Sequence, residues 1–213
     1  MISKRGYYII SSIILILICI WDRIVNIPKF PYCFLYNTQI DLYANMLYYI
    51  LSSLNNDKSY DRLFNFCFTN SFLAFIMYWS LVLINPSTLY KKGISVPLLL
   101  VFMLHGGIFI ICLCEQLFIN RRTKPKYLNW IAYVIYDVIY GIMLKVGYVK
   151  WKIKVYPFAY KSDWILVGVM MTAFVVVMIG QFIYIICGGI FGAAFKQCRI
   201  SISVYSQVLW SAK

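Results

Sequence analysis

A chain of 213 residues that is 62% hydrophobic and only 13% charged is not a soluble globular domain, because such domains run near half apolar and about a quarter charged. Its formal net charge of +13 would point to nucleic acid in a soluble protein. Here the basic residues are scattered over short connectors with no extended aromatic-basic groove, so anionic lipid headgroups account for them and nucleic acid is not an expected partner.

A bilayer core of about 30 Å needs about 20 apolar residues per spanning helix. Six such stretches can be read, near residues 7–27, 36–54, 64–84, 96–119, 128–147 and 164–191. The expected fold class is therefore all-α: a polytopic membrane protein, residues 1–213 forming one domain built as a bundle of six transmembrane helices. Little chain remains outside it, so function has to reside in the bundle or at its face.

The first stretch follows Lys4 and Arg5 and has the charge layout of a secretory signal. Its apolar part is too long for a cleaved segment, and no small-residue site precedes Trp21, Asp22 and Arg23. It is expected to stay as the first span, and no lipidation box or retrieval tail is apparent. Pro28 and Pro31 then break the chain before the second span.

That second span opens with Asn37-Thr38-Gln39-Ile40-Asp41. Thr38 with Asp41 three residues on resembles a capping box in which aspartate replaces glutamate. A helix start also leaves backbone N–H groups without partners, and these could stabilise an oxyanion. The two readings are compatible. Asn55 to Lys58 follow this helix, and Asn85, Pro86 and Ser87 end the third.

The fourth stretch holds His105, the one histidine of the chain, and Glu115. A titratable ring at bilayer depth is costly without a partner, so its default reading is functional. Imidazole is also the side chain best suited to move a proton near neutral pH. With the N-terminus inside, helices two and four run parallel. His105 then lies about 14 Å into its helix, and a tilt of about 20° lets it meet Thr38. Asp41 is the better candidate to orient the ring, and Asp137 is a further possibility. Glu115, about 15 Å farther along the same helix, cannot hold that imidazole. It serves elsewhere or is a buried charge that must be neutralised.

The cluster Arg121, Arg122, Lys124 and Lys126 argues for a cytoplasmic loop, and with it for cytoplasmic N- and C-termini. The membrane would be the endoplasmic reticulum or the plasma membrane. After the fifth span, Lys150 to Tyr156 alternates basic and apolar residues, which predicts an extended interfacial ribbon turning Lys150, Lys152 and Lys154 to one side. Tyr156-Pro157-Phe158 would end it at the headgroup level. The plain reading is an interfacial anchor, and the sharper one is a mouth that holds an acidic lipid. The seven cysteines form no disulfide framework or metal spacing, and those inside the spans read as packing residues. No metal or other cofactor is expected.

Three features, in this order, resemble the androgen-induced protein family, the androgen-dependent regulators of tissue factor pathway inhibitor among them. They are Thr38-Gln39-Ile40-Asp41-Leu42 opening the second helix, His105 followed ten residues later by Glu115, and Val155-Tyr156-Pro157-Phe158 after the fifth span. The resemblance covers residues 34–158. It implies a membrane-embedded threonine hydrolase that cleaves fatty acid esters of hydroxy fatty acids, with Thr38 as nucleophile and His105 as general base. The chain departs from the family at Lys154, where an aromatic residue would stand, and in its short loops. Both departures bear on lipid selectivity.

The chemistry of the residues agrees with that implication. A threonine hydroxyl attacks an ester only when a base takes its proton. Asn37, or the N–H groups of Gln39 or Ile40, would supply oxyanion donors, and Lys150 or Lys152 would hold the free carboxylate of the lipid. The bilayer and this lipid are the expected partners. Two other readings stay open. One is a non-catalytic lipid-binding or scaffold protein in which His105 satisfies a buried contact. The other is a small proton-coupled transporter drawn from Glu115 and Asp137.

Overall fold

The computed structural model describes residues 3–26, 32–55, 60–84, 97–120, 127–153, 168, 171–187 and 189, and among them all regular structure is helical. The helices are α1 (Lys4–Asn26), α2 (Asn37–Leu54), α3 (Asp61–Ile84), a rod α4 (Leu98–Ile119), α5 (Tyr127–Trp151) and α6 (Met171–Cys187). A 3₁₀ turn, Tyr32–Leu35, feeds α2. Four of them are long and apolar enough to cross a membrane: α1, α3, α4 and the Ile131–Trp151 part of α5.

The expectation of six spans is thus met by four. The described part of the last stretch, Met171–Cys187, is shorter than a span. Residues 164–167, 169, 170, 188, 190 and 191 lie outside the described residues. Helix α2 is 18 residues long but buries Asn37, Gln39, Asp41, Asn45 and Ser52. Those residues lower its hydropathy for a structural reason: α2 packs against α1, α3 and the middle of α4, so its polar face looks into protein. A helix bathed in lipid on every side could not carry that face.

The rest of the bundle follows the same inside-out logic. Helix α1 exposes Ile9, Ile13, Ile16, Leu17, Ile20 and Ile24 while burying Tyr8, Ser11, Leu15 and Asp22. Helices α5 and α6 likewise expose Ile135, Ile139, Ile142, Met178 and Phe182. The core they enclose is aromatic, with Tyr48, Tyr49, Phe64, Phe68 and Tyr184 in mutual ring contact.

The expected ribbon after the fifth span needs correction. Helix α5 runs through Lys150 to Trp151. Lys152 then takes a left-handed conformation (φ 56°), and its N–H donates to the Tyr148 carbonyl at 3.0 Å. That bond closes a helix C-terminus, so the alternation of bases is read over a helical end. Lys154 to Phe158 lie outside the described residues.

Close packing also sets where α6 can sit. A Cβ on Gly180 would meet Phe72 Cδ1 at 2.8 Å, and that ring is itself wedged against Phe109 at 5.4 Å between centroids. Gly180→Ala is expected to cost about 1–3 kcal/mol, as overpacking of a filled core does. A thiol-dye melting curve in detergent would show a lower midpoint, whereas an unchanged midpoint would mean that α6 docks more loosely.

Candidate active site

The start of α2 is built by α5. The residue capping the helix is Tyr36, and it makes no side-chain capping bond. Its carbonyl accepts the N–H groups of Gln39 (2.9 Å) and Ile40 (3.2 Å). The Asn37 N–H donates to the Tyr140 hydroxyl at 3.0 Å, that hydroxyl donates to the Leu35 carbonyl at 2.9 Å, and the Tyr136 hydroxyl donates to Asn37 Oδ1.

Two expectations fall here. Thr38 is the second helical residue and not the cap, so the capping-box reading of Thr38 and Asp41 does not hold. The Gln39 and Ile40 amides are committed to Tyr36, so they are not spare donors for an oxyanion. The Gln39 side chain is engaged too, donating to Asp22 Oδ2 at 2.8 Å and accepting from Arg23 at 2.9 Å. The Asn37 Nδ2 group donates to none of the described residues.

Helices α2 and α4 run parallel, and their register is set by two bonds. The Cys112 thiol donates to Asn45 Oδ1 at 2.9 Å, and the Tyr48 hydroxyl donates to Glu115 Oε1; in both pairs the partners are 67 residues apart. Thr38 and His105 are separated by the same 67 residues as these pairs. Each stands two helical turns above its own member of the Asn45–Cys112 pair, Thr38 on the same face as Asn45. The two share a level because the rods are staggered, where a tilt had been expected to bring them together.

Helix α3 confirms the level of His105 from another side. Ser71 Oγ lies 3.9 Å from Cys112 Sγ. Seven residues farther along this antiparallel helix, Tyr78 stacks flat on the His105 ring, with centroids 3.6 Å apart and planes at 9°. Around His105 the rod is a π-helix, Met103–Gly107, a local widening that often marks functional positions. A second π segment begins at Glu115. The His105 ring is partly buried, and its enclosed Nδ1 has no hydrogen-bond partner among the described residues.

Asp41 is held by α3 and by its own helix. Its Oδ1 accepts from Asn45 Nδ2 at 2.9 Å, Ser71 Oγ at 2.9 Å and Asn70 Nδ2 at 3.4 Å. Its Oδ2 is enclosed and without a partner among the described residues, as is Asn70 Oδ1. The direct bond from Asp41 to the imidazole that an orienting role would need is therefore not made. Asp41 sits about one turn deeper than Thr38, where three α3 and α2 donors reach it first.

Glu115 lies away from His105, as its spacing requires, and accepts from the Tyr48 and Tyr8 hydroxyls. Asp137 is partly buried on α5, with Oδ2 unpartnered among the described residues. Lys150 on α5 and Lys152 just past its end stand ten and twelve residues beyond Tyr140, roughly 15–18 Å from the α2 start along the helix direction. The Lys150 ammonium lies 5.8 Å over the Trp151 ring.

Sequence reasoning missed Asn45, Asn70, Ser71, Cys112, Tyr78 and Trp79. A signal existed for some of them: Asp41 and Asn45 sit one turn apart, and Thr69-Asn70-Ser71 interrupts an otherwise apolar span. The arrangement as a whole brings a hydroxyl and an imidazole to one level of a largely apolar interior, with an aromatic ring behind the imidazole. A hydroxyl and an imidazole at one level are residue types that acyl transfer can use.

A family model described as FAR-17a/AIG1-like protein matches residues 7–190. No curated protein and no solved structure matches the chain.

Proposed function

The chain belongs to the FAR-17a/AIG1-like family, the androgen-induced proteins, and from that premise we propose that it is a membrane-embedded ester hydrolase acting on fatty acid esters of hydroxy fatty acids. In this reading α2 and the segment around α6 complete a six-span bundle in a single domain, with both termini cytoplasmic. The observation that carries the proposal is the common level of Thr38 and His105 on parallel helices, fixed by the Asn45–Cys112 and Tyr48–Glu115 pairs.

The chemistry runs in two halves. His105 takes the Thr38 hydroxyl proton as Oγ1 attacks the ester carbonyl, and the carbonyl electron pair moves onto oxygen. Collapse of that tetrahedral species breaks the ester C–O bond, and the departing hydroxy fatty acid leaves with the proton from His105. Water, deprotonated by the same imidazole, then attacks the acyl-threonine carbonyl. The C–O bond to Thr38 breaks as His105 returns the proton to the threonine oxygen, releasing the free fatty acid. The stack on Tyr78 limits how the imidazole can rotate between the two halves. The Asn37 carboxamide is a donor for the oxyanion, and Lys150 or Lys152 holds the distal carboxylate at the mouth.

The test uses the full chain purified in detergent and branched fatty acid esters followed by mass spectrometry. Turnover, together with fluorophosphonate labelling that disappears in Thr38→Ala, is the expected result. Binding of the esters without turnover or labelling would instead establish a lipid-binding protein.

A further inference from the structure

The Trp79 indole carries an enclosed Nε1–H with no acceptor among the described residues. A tryptophan near the end of a spanning helix ordinarily offers that group to the headgroups. This one withholds it from water and meets no acceptor among the described residues, an arrangement native structures seldom tolerate without a use.

Its surroundings indicate which use. Phe75 of α3 stacks on Phe109 of α4, with centroids 5.5 Å apart. One turn up α3 and one turn back along the antiparallel α4 lead from that pair to Trp79 and His105. Tyr78, the neighbour of Trp79, stacks on His105 at 3.6 Å and meets the Trp79 ring edge-on at 5.4 Å. The indole donor therefore shares the level of His105 and Thr38. On that level the Gln39 and Ile40 amides are already committed to the Tyr36 carbonyl.

We propose that Trp79 is a catalytic residue: its Nε1–H donates to the carbonyl oxygen of the scissile ester. This rests on Thr38 and His105 being nucleophile and base. As the Thr38 oxygen bonds to the carbonyl carbon and its proton passes to His105, the carbonyl electron pair localises on oxygen. The indole bond then strengthens, because its acceptor has become an anion. When the C–O bond to the hydroxy fatty acid breaks, the pair returns to the carbonyl and the indole is left unchanged. The same donor serves the attack of water on the acyl-threonine. The ligand class so recognised is an acyl ester, and a plain hydrocarbon or ether makes no use of this group.

The experiment compares the parent, Thr38→Ala and Trp79→Phe in detergent on one branched ester. Trp79→Phe keeps a ring against Tyr78 and removes the donor. Its kcat should fall about 100-fold, as loss of one oxyanion donor does, with KM nearly unchanged. Affinity for an acyl trifluoromethyl ketone, which Thr38 converts to an oxyanion, should fall by a similar factor. Affinity for the matching ether should stay constant.

A parental kcat in Trp79→Phe, or an equal loss of ketone and ether binding, would overturn the role of Trp79 and leave Thr38 and His105 in place. A parent without turnover, or an active Thr38→Ala, would remove both. If Trp79→Phe does not fold, benzothienylalanine at position 79 carries the same comparison, since it exchanges only the N–H for sulfur.

Discussion

Alanine at Thr38, alanine at His105 and the double substitution should leave one and the same residual rate, roughly 1,000-fold or more below the parent. The reason is that neither group does its work alone. Without the imidazole the hydroxyl keeps its proton, and without the hydroxyl the imidazole has no nucleophile to activate. Independent roles would instead multiply the two losses.

Thr38→Val serves as the control of shape, keeping the branched side chain in the first turn of α2 while removing the hydroxyl. It should match Thr38→Ala in rate and the parent in melting temperature. Rates are read by mass spectrometry of the released fatty acid. A Thr38→Ala protein that retains a tenth of parental turnover would assign the nucleophile elsewhere. An additive double mutant would mean that His105 acts on something other than Thr38.

How far the site could be read beforehand depended on which forces fixed each part. The lipid-facing helices were legible because their composition is dictated by the bilayer: Ile9, Ile13 and Ile20 on α1 and Ile135, Ile139 and Ile142 on α5 are simply exposed to it. The bounds of α2 were legible, within a residue of the expected start, from Pro28 and Pro31 before it and Asn55 after it. Its burial was not, since polarity at Asn37, Asp41 and Asn45 looks identical whether a helix is surrounded by water or by other helices. Periodicity misled at Lys150 and Trp151, where alternating charge was read as an extended ribbon although the hydrogen-bond ladder of α5 continues through Trp151.

The partners of each functional group were legible least. Thr38 and His105 stand out as residue types, but their common level comes from a stagger between α2 and α4 set by Cys112 and Glu115. No local pattern carries that offset. Capping followed the same course: Thr38 and Asp41 have the spacing of a box, yet Tyr136 and Tyr140, about a hundred residues on, supply the groups that hold the helix start. A tyrosine from a distant helix competes successfully because in a bundle its hydroxyl has few other partners.

Asp41 supplies the second large effect. Its Oδ1 receives three donors, from Asn45, Ser71 and Asn70, and the residue is 1% exposed. Asp41→Ala strands the Asn70 amide and leaves Ser71 Oγ only the Cys112 sulfur at 3.9 Å, while Asn45 Nδ2 keeps the residue-41 carbonyl and Ser71 Oγ. Each such loss costs about 1–3 kcal/mol in a protein core, and the smaller values measured for polar contacts between membrane helices apply here. A loss of about 2 kcal/mol follows from the two donors affected, read as a lower melting midpoint in detergent together with weaker expression.

Asp41→Asn behaves differently, because an amide oxygen still accepts from the same three donors. Stability should stay within about 1 kcal/mol of the parent, which makes activity informative. The carboxylate makes no bond to the imidazole, so any effect on His105 must act through space or through a shared solvent molecule. An Asp41→Asn protein that melts like the parent but turns over ten or more times more slowly would establish that its charge supports the imidazolium formed during attack. Equal stability with equal turnover would confine Asp41 to holding α2 against α3, and Thr38 would then owe it only a fixed position.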